Sequence, residues 1–402
     1  MFPVDAAELD ERIAAFDVSG VREGRIETID EADPVDAVVA TLAVREAGGI
    51  PLVADERWPA AYRADLRELV SSHEPAPGVG WATSTSGSSG APRVILRSPV
   101  SWAASFPAVA ELLALTAADV VYLPAPLSAS MSLFSAAHAR AVGASLIVST
   151  ATAVAALDSA TVMHGTPFAL GVVIDAIDSG APHRLRAALV GGARLEPGLR
   201  ARAEARGIRV VAYYGAAELS FAAVDTDGHG LRSFPGVELR HDKGELWVRS
   251  AYVASGYLGS SRGALRRDDE GWATVGDLVA IHDGALGFVG RSDGAILTAA
   301  ATVIPEEVEA ALRGIRGVDD AVVFAVPNAG VGSLVGVVLE AGGGVNRPPL
   351  RDVREQARAL LAPSHLPRQW FVTERFPRTA SGKPARSQIS ADALEGRIER
   401  HE

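Results

Sequence analysis

Residues 186–220 read RAALVGGARLEPGLRARAEARGIRVVAYYGAAELS and contain a complete strand–helix–strand unit. The runs RAALVGG (186–192) and IRVVAYYG (208–215) are short and apolar, as buried strands are. The stretch between them is long enough for a crossover helix. A strand, a crossover helix and a second strand form the βαβ unit of a parallel sheet.

The same alternation extends upstream of this unit. Further strand-like runs are DVVYLPA (119–125), ASLIVST (144–150) and TVMHG (161–165), with helix-like stretches between them. Residues 1–75 predict helical pieces and a short buried strand near residues 50–54, and EPAPGVG (74–80) is a break. A parallel sheet is therefore expected over residues 100–212.

The pattern changes downstream. After residue 230, short strands punctuated by glycine predict an antiparallel subdomain. From about residue 294, PEEVEAALRG and RDVREQARALLA predict helices, and AVVFAV, LVGVVLE and QWFVTE predict strands. The sequence thus predicts an α/β fold with two domains. A large N-terminal domain (1–292) carries mixed and parallel sheets and an antiparallel subdomain, and a small mobile α+β domain (293–402) follows.

Composition excludes several classes of function. The chain has 402 residues, a net charge of −11 and no cysteine. The acidity disfavours general binding of nucleic acid or anionic membranes. The missing cysteines exclude disulfides, thiolate metal sites and a cysteine nucleophile. No signal peptide is visible and no apolar run reaches the roughly 20 residues of a membrane helix, so we expect a cytoplasmic protein.

Lysine is rare in this chain. Lys and Arg total 38, yet only Lys243 and Lys383 are lysines. Arginine keeps the charge but lacks the compact ammonium group, so each lysine is a candidate functional residue. Chance retention explains Lys243 in the turn-like HDKG. Lys383 lies in PRTASGKPARSQI (377–389), where small residues present it near the C-terminus; a disordered basic tail is the alternative.

The segment TSTSGSSGAPR (83–93) combines hydroxyl residues with two glycines, a proline and a base. Glycines let backbone N–H groups turn toward one anion, and hydroxyls add donors, so such a loop suits phosphates. It is not a Walker loop, since no GK[ST] follows at the required spacing. A flexible Ser/Gly linker is the alternative interpretation.

Three further segments carry candidate chemistry. In VAYYGAAELS (211–220), an aromatic ring at a strand end can stack on a base and Glu218 can hold Mg²⁺. In GWATVGDL (271–278), Asp277 could bridge two ribose hydroxyls. In GRSDGAIL (290–297), Arg291 and Asp293 lie where a hinge between domains is expected. Taken alone, the first segment is explained by an ordinary strand end that leads into a helix, the second by a plain turn and the third by a charged linker.

In this order, the motifs resemble the adenylate-forming superfamily of acyl- and aryl-CoA ligases, carrier-domain adenylation modules and luciferases. That family has T-S-G-S-[TS]-G-x-P-[KR], Y-G-x-T-E, T-G-D, G-R-x-D-x-x-I-K with x-x-P-x-E-[IV]-E, and P-x-T-x-x-G-K. The matching segments here are residues 85–93, 214–218, 275–277, 290–309 and 377–383, and LVGGARLEP (189–197) is similar to its G-G-A segment. The resemblance spans about residues 80–390.

The resemblance implies a role for each matching residue. Lys383, Glu218 and Arg291 would be catalytic, Glu218 would ligate the metal, and Asp293 would be the hinge. The acid pocket would include Ser128, Ser130, Met131 and Phe221. The residues expected to bind ATP or AMP are Thr85, Ser86, Gly87, Ser88, Ser89, Gly90, Arg93, Gly192, Tyr214, Gly215, Asp277 and Arg291.

The resemblance also implies a two-step reaction that uses ATP, Mg²⁺ and coenzyme A. A carboxylate attacks the α-phosphate of ATP and pyrophosphate leaves, so the site must supply cations and oriented donors. Lys383 would bridge the acid and the nucleotide. The small domain then rotates about Asp293, and the thiol of pantetheine, on CoA or a carrier protein, takes the acyl group.

The chain departs from the family pattern at several positions. Arg93 replaces the usual lysine, Ala217 removes a hydroxyl, and V-G-D replaces T-G-D. Leu297, Ala299 and Ala300 stand where a lysine and a glycine pair are usual, and PAPLSASMSLF (124–134) has no histidine. Two interpretations besides a CoA ligase are therefore kept. One is an adenylating enzyme that uses a carrier-protein thiol, an amine or another acceptor, and the second is a catalytically weak nucleotide-binding homologue.

Overall fold

The structure is a computed structural model. It describes residues 3–55, 58, 60–86, 92–148, 154–259, 264–282, 284–291, 294, 296–297, 302–328, 332–341, 349–361, 365–379 and 382–401. No helix in these ranges is both long enough and apolar enough to cross a bilayer. The cytoplasmic location stays a prediction.

The first module packs helices around a two-stranded parallel sheet. Its elements are α1 (Ala6–Ala15), β1 (Ile26–Ile29), α2 (Pro34–Glu46), β2 (Ile50–Val53) and α3 (Ala60–Ser72). The sequence predicts β2 and the helices but misses β1, whose four residues IETI are too few to show a period. β1 is defined instead by its pairing with β2, from Ile26 opposite Ile50 to Ile29 opposite Val53.

The phosphate-loop segment joins two antiparallel strands. Strand β3 (Trp81–Ser86) pairs with β4 (Pro92–Arg97), and Thr85 lies opposite Arg93. The buried apolar residues of β4 are Val94, Ile95 and Leu96. They anchor the hairpin in the core.

The central region of the chain builds a seven-stranded sheet. In chain order its elements are α4 (Pro99–Ala103), α5 (Phe106–Leu113), β5 (Val120–Leu123), α6 (Ser130–Val142), β6 (Ser145–Val148), α7 (Val154–Leu157), β7 (Val162–Gly165), α8 (Pro167–Asp178), β8 (Ala187–Val190), α9 (Pro197–Ala205), β9 (Arg209–Ala216), β10 (Ser220–Asp225) and β11 (Arg232–Ser233). The strand order is β11-β10-β9-β8-β7-β5-β6. Strands β5 to β9 pair in parallel, which confirms the alternation predicted for residues 100–212.

One feature of this sheet differs from the sequence prediction. Strand β9 does not end at Tyr213–Gly215 but continues to Ala216 and turns back directly into the antiparallel strand β10. Ser220 closes the turn with a φ of 59°, a conformation that a serine signals only weakly in sequence. The turn places Glu218 at the edge of the sheet.

The following region is antiparallel, as predicted. Its strands are β12 (Glu238–Asp242), β13 (Glu245–Arg249), β14 (Gly256–Tyr257), β15 (Arg266–Arg267), β16 (Ala273–Thr274), β17 (Asp277–His282) and β18 (Ala285–Arg291). Strand β14 leaves this group and pairs with β4, Tyr257 opposite Ile95. This crossing carries Tyr257 to the hairpin that holds the phosphate-loop segment.

The last region of the chain is an α+β unit. It contains β19 (Ile296–Leu297), β20 (Thr302–Val303), α10 (Pro305–Arg313), β21 (Asp320–Asn328), β22 (Gly332–Glu340), α11 (Leu350–Leu360), β23 (Gln369–Thr373), α12 (Arg386–Leu394) and β24 (Arg400–His401). Two buried apolar clusters consist only of residues from 296 onward. The predicted fold class, an α/β chain with a large N-terminal region and a small C-terminal α+β unit, is confirmed.

Candidate active site

Lys383 lies in a tight hairpin rather than in a disordered tail. Lys383 accepts a hydrogen bond at its carbonyl from Thr379 N at 2.7 Å, and Gly382 N donates to Thr379 O at 2.9 Å. Ala385 N closes the base of the hairpin on Pro377 O at 2.8 Å. The residue directly before the lysine, Gly382, has a φ of +81°, a conformation that glycine adopts without steric cost. We call residues 377–385 the lysine loop.

Two arginines anchor the lysine loop on the small α+β unit. Arg378 donates to Glu340 Oε2 at 2.6 Å, and Glu340 is buried. On the other side of Lys383, Arg386 donates to both carboxylate oxygens of Glu309, at 2.9 and 2.5 Å, and Glu309 is only 2% exposed. Bidentate pairs of this kind fix geometry as well as charge. The loop is therefore held from both sides by buried carboxylates.

The side chain of Lys383 reaches the large N-terminal region of the chain at Gly192. A Cβ built on Gly192 would lie 3.6 Å from Lys383 Cε and 3.7 Å from its Nζ. The same point lies 3.6 Å from Met131 Cε. Gly192 follows β8, and Met131 is in the first turn of α6. The structure thus brings together a predicted catalytic residue, a predicted nucleotide-binding residue and a predicted acid-pocket residue.

The residues predicted to bind the nucleoside also meet. Tyr214, at the end of β9, donates its hydroxyl hydrogen to Asp277 Oδ2, and Asp277 is 5% exposed. Asp277 begins β17 and lies opposite Arg291 on β18. The ring of Tyr214 lies 6.0 Å from that of Phe288, inclined by 30°. A partly exposed ring and a carboxylate held beside it form a surface suited to a base and a ribose.

Glu218 lies in the β9–β10 turn beside Tyr257. The Tyr257 hydroxyl donates to Glu218 Oε1 at 2.8 Å and accepts from Leu265 N at 3.1 Å. Burial raises the pKa of Tyr257, and the Glu218 charge raises it further, whereas the charge of Arg93 acts in the opposite direction. The phenol therefore stays a neutral donor to the carboxylate. Two opposite charges, Arg93 and Glu218, thus both lie near Tyr257, beside strand β4 of the phosphate-loop hairpin.

Arg97, on β4, holds the turn that carries Glu218 by hydrogen bonds to backbone carbonyl oxygens. Its guanidinium is fully buried and donates to the carbonyl oxygens of Ala217 at 2.5 Å and Tyr252 at 2.6 Å. Burial lowers the pKa of Arg97 to about 9, and the charge of Glu218 opposes that fall. Sequence reasoning missed this residue, although a lone arginine after the apolar run VIL was a signal. Arg97 ties the turn that carries Glu218 to β4.

The four residues predicted for the acid pocket differ in their positions. Met131 lies at Gly192, as described, and Ser130 begins α6 and is half-buried. Ser128 is 8% exposed and donates its hydroxyl to Asp55 Oδ2 at 2.9 Å. Phe221 is 3% exposed and stacks on Phe234 with a centroid distance of 4.8 Å. Ser128 and Phe221 are therefore buried, whereas Ser130 and Met131 are partly exposed.

Tyr213 closes the space beside Gly191. A Cβ on Gly191 would lie 2.2 Å from Tyr213 Cζ, so the ring is pressed flat against this glycine. The Tyr213 hydroxyl is hydrogen-bonded to His164 Nε2 at 2.9 Å, and His164 Nδ1 is hydrogen-bonded to Ser135 Oγ. Burial lowers the pKa of His164 to about 3, so its imidazole is neutral. Neither Tyr213 nor His164 was singled out from the sequence as a pocket residue.

Some predicted residues lie outside the described ranges. Gly87, Ser88, Ser89 and Gly90 of the phosphate loop belong to them, as do Asp293, Ala299 and Ala300. For Thr85, Ser86, Arg291 and Leu297 the structure describes the backbone but not the side chain. Gly215 lies in β9 opposite Phe221 of β10. The roles predicted for all the site residues named in this paragraph stay predictions.

Two family models match this chain, one in its large N-terminal region and one in its small C-terminal unit. Residues 83–258 match a family model described as AMP-binding enzyme, and residues 307–383 match its C-terminal domain. VraA of Staphylococcus epidermidis, named as a putative long chain fatty acid-CoA ligase, is 24% identical over 91% of this chain and 87% of its own.

Solved structures share the fold. ATP-bound MatB from Rhodopseudomonas palustris has a TM-score of 0.80 at 19% identity, covering 98% of this chain and 94% of its own. The amide bond synthetase McbA from Marinactinospora thermotolerans has a TM-score of 0.80 at 22% identity, covering 96% and 94%. Because both family models match in order over residues 83–258 and 307–383, the chain belongs to the AMP-binding, adenylate-forming enzyme superfamily.

Proposed function

We propose that this enzyme activates a small carboxylic acid as its acyl-adenylate and transfers the acyl group to a thiol, coenzyme A being the first choice. In the first step a carboxylate oxygen bonds to the α-phosphorus of ATP and the bond to pyrophosphate breaks. In the second step the sulfur bonds to the acyl carbon, AMP leaves, and the thiol proton passes to solvent. We further propose that residues 1–292 and 293–402 are separate domains joined at Asp293.

The observation that supports this proposal best is the position of Lys383. Its ammonium group lies against Gly192 and beside Met131, between the place expected for the acid and the place expected for the nucleotide. Two anions must approach each other there, so a fixed cation between them lowers the barrier of the first step. The anchors Glu340 and Glu309 hold the loop in place before substrate arrives. This arrangement also argues against a catalytically weak homologue.

The residues around Glu218 fit a magnesium ion brought in with ATP. Mg²⁺ is usually held by one or two carboxylates together with substrate phosphates and waters. Within the described ranges no group of three or more acidic or histidine side chains could hold a metal alone. Glu218, oriented by Tyr257, would supply the protein ligand, and bound Mg²⁺ would neutralise phosphate charge. Arg93 would contact the phosphates from β4.

We propose that the acid is small and that Tyr213 closes the deep side of its pocket. Its ring covers Gly191, and its hydroxyl is engaged with His164. A long acyl chain entering past Met131 would have to displace this ring and break that hydrogen bond. Breaking a buried hydrogen bond without replacing it costs about 1–3 kcal/mol. We therefore propose short aliphatic or compact acids as the substrate class.

A pyrophosphate-exchange screen tests the proposal. Purified enzyme, MgATP and labelled pyrophosphate are incubated with aryl, β-keto, amino and short aliphatic acids one at a time. Acid-dependent incorporation of label into ATP is expected for at least one small acid. No exchange with any acid would contradict the adenylation step.

The acceptor is tested separately with the acid found in that screen. Mass spectrometry of reactions containing CoA is expected to show the CoA thioester together with AMP. The sequence change at Ala299 and Ala300 motivates the alternative of a carrier-protein thiol or an amine. Adenylate formation with no CoA thioester would favour that alternative.

A further inference from the structure

Phe168 is an exposed aromatic residue in an unusual place. It lies in the first turn of α8, one residue after Pro167, and the Thr166 hydroxyl accepts a hydrogen bond from Ala169 N there. The side chain is 54% exposed. Val172, one turn further along the same helix, is also exposed, at 44%. The role proposed above for the site makes no use of α8, so this ring requires another explanation.

The lysine loop rests on the ring of Phe168. A Cβ built on Gly382 would lie 2.6 Å from Phe168 Cδ1 and 3.2 Å from Phe168 Cβ. Only the missing side chain of Gly382 lets the backbone of the lysine loop approach the Phe168 ring this closely, and the φ of +81° at Gly382 adds a second reason for glycine. The contact lies directly before Lys383 in the chain and joins the small C-terminal unit to the large N-terminal region.

Arg378 extends the same contact. Its guanidinium carbon lies 5.8 Å from the centroid of the Phe168 ring, within the range of a cation–π interaction. The same guanidinium donates to Gly382 O at 3.2 Å and to Glu340 Oε2 at 2.6 Å. Arg378 thus connects the ring, the backbone of the lysine loop and a buried carboxylate. The Phe168 ring therefore contacts both Gly382 and Arg378 of the lysine loop.

We propose that Phe168 is a positioning residue that docks the lysine loop for adenylate formation and has no role in acyl transfer. This inference rests on the two-step function proposed above. Because Gly382 is adjacent to Lys383, a shift of the loop on the ring moves the ammonium group away from Gly192. A misplacement of about 1 Å can cost on the order of 100-fold in rate. The contacts of Phe168 with Gly382 and Arg378 mean that it would act through the loop.

Substitution of the ring separates this role from a general structural one. Phe168→Ala is expected to lower the rate of acid-dependent pyrophosphate exchange by about 10-fold or more, judged from the cost of misplaced catalytic groups. The rate of thioester formation from supplied acyl-adenylate and CoA should stay within about twofold of wild type, since the loop has left the site in that step. Val172→Ala, on the same helix, should leave both rates unchanged, and Phe168→Tyr should restore exchange. Equal exchange rates for Phe168→Ala and Val172→Ala would overturn the proposal, as would equal losses in both steps.

A cross-link tests the docked geometry without any substrate. The chain contains no cysteine, so an introduced pair has no competing thiol. The Cβ positions of residues 168 and 382 lie 3.2 Å apart, close to the roughly 3.5–4.5 Å of disulfides. The double variant Phe168→Cys/Gly382→Cys is expected to form an intramolecular disulfide under mild oxidation. The control Phe168→Ala/Ser179→Cys/Gly382→Cys also lacks the ring that would clash with a side chain at residue 382. It places the first thiol at the far end of α8, about 16 Å along the helix, and should form no disulfide.

The two experiments distinguish failure of the inference from failure of the proposed function. If none of the acids supports pyrophosphate exchange by the wild-type enzyme, the proposed function fails. The disulfide still reports whether the loop docks on residue 168 of α8. If exchange occurs and the 168–382 disulfide forms, the oxidised enzyme should keep exchange and lose acyl transfer, with recovery on reduction. A pair that cross-links no faster than the Ser179 control would contradict docking.

Discussion

Tyr257 donates a hydrogen bond of 2.8 Å to Glu218 Oε1 across the junction of two sheets. Glu218 lies in a turn of the central sheet, whereas Tyr257 belongs to a strand paired with the phosphate-loop hairpin. The tyrosine hydroxyl is itself oriented by Leu265 N. The proposed metal ligand is therefore positioned by the hairpin that is expected to hold the phosphates.

Tyr257→Phe should weaken the use of magnesium while leaving the fold intact. Loss of a group that orients a metal ligand typically costs about 10- to 100-fold in metal affinity or activity. Since some of the Mg²⁺ coordination comes from ATP, we expect the lower end, about a 10-fold higher Mg²⁺ concentration for half-maximal exchange. The measurement is pyrophosphate exchange at fixed ATP over a series of Mg²⁺ concentrations. Tyr252→Phe removes a comparable bond to Pro235 O and is the control; the same Mg²⁺ curve for both variants would contradict the assignment.

Arg97→Met should destabilise the large N-terminal region of the chain. The methionine leaves the carbonyl oxygens of Ala217 and Tyr252 without their donor, a cost of about 2–6 kcal/mol for two such groups. Urea unfolding followed by tryptophan fluorescence measures the change. Arg209→Met, at an exposed position of β9, should change the free energy of unfolding by no more than about 0.5 kcal/mol. An Arg97→Met variant as stable as that control would show that the two bonds contribute nothing.

His164 should make stability sensitive to acid. Folding lowers its pKa to about 3 from an ordinary 6.5, so the unfolded chain binds this proton more readily. The contribution of neutral His164 to the free energy of unfolding is fully present above the pKa of the unfolded chain. It is lost as the pH falls from about 6.5 toward 3. His164→Gln does not titrate, so its urea midpoint should fall less than that of wild type between pH values of about 7 and about 5. His138, whose pKa burial lowers to about 4, adds a similar loss in both proteins. Parallel pH curves for the two proteins would contradict a neutral buried His164.

Tyr213→Ala should widen the range of acids. Removing the ring that lies on Gly191 opens the deep side of the pocket, so longer or bulkier acids should gain activity relative to short ones. One added methylene in a hydrophobic pocket is worth about 1–3 kcal/mol, or roughly 10- to 200-fold. The measurement is kcat/KM for exchange over a homologous series of acids. An unchanged chain-length profile would place Tyr213 away from the acid.

The fold was predictable where single segments carry their own pattern. The strands of the parallel sheet follow from short apolar runs between helices, and α10 and α11 follow from their acidic and amphipathic periods. β1 and the β9–β10 turn were not predictable in this way. Four residues of β1 show no period, and the turn at Ser220 uses a backbone conformation that serine rarely adopts.

Site residues were likewise predictable only where a local sequence motif contains them. Lys383, Gly192, Tyr214, Glu218 and Asp277 stand in sequence motifs, and the structure pairs Lys383 with Gly192 and Tyr214 with Asp277. Arg97 and Tyr257 contact residues 120 and 39 positions away, so their function depends on tertiary contacts that no local pattern records. Phe168 is far from Gly382 in the chain and meets it only after both regions have folded.

Lys383→Ala gives the most direct test of the central claim, that this lysine promotes adenylate formation. With the acid identified by the exchange screen, the variant should lose on the order of 100- to 1000-fold in the rate of pyrophosphate exchange, as for other preorganised charged donors. Lys243→Ala, which removes the chain's other lysine, should exchange at the wild-type rate. Full exchange activity in Lys383→Ala would contradict the account.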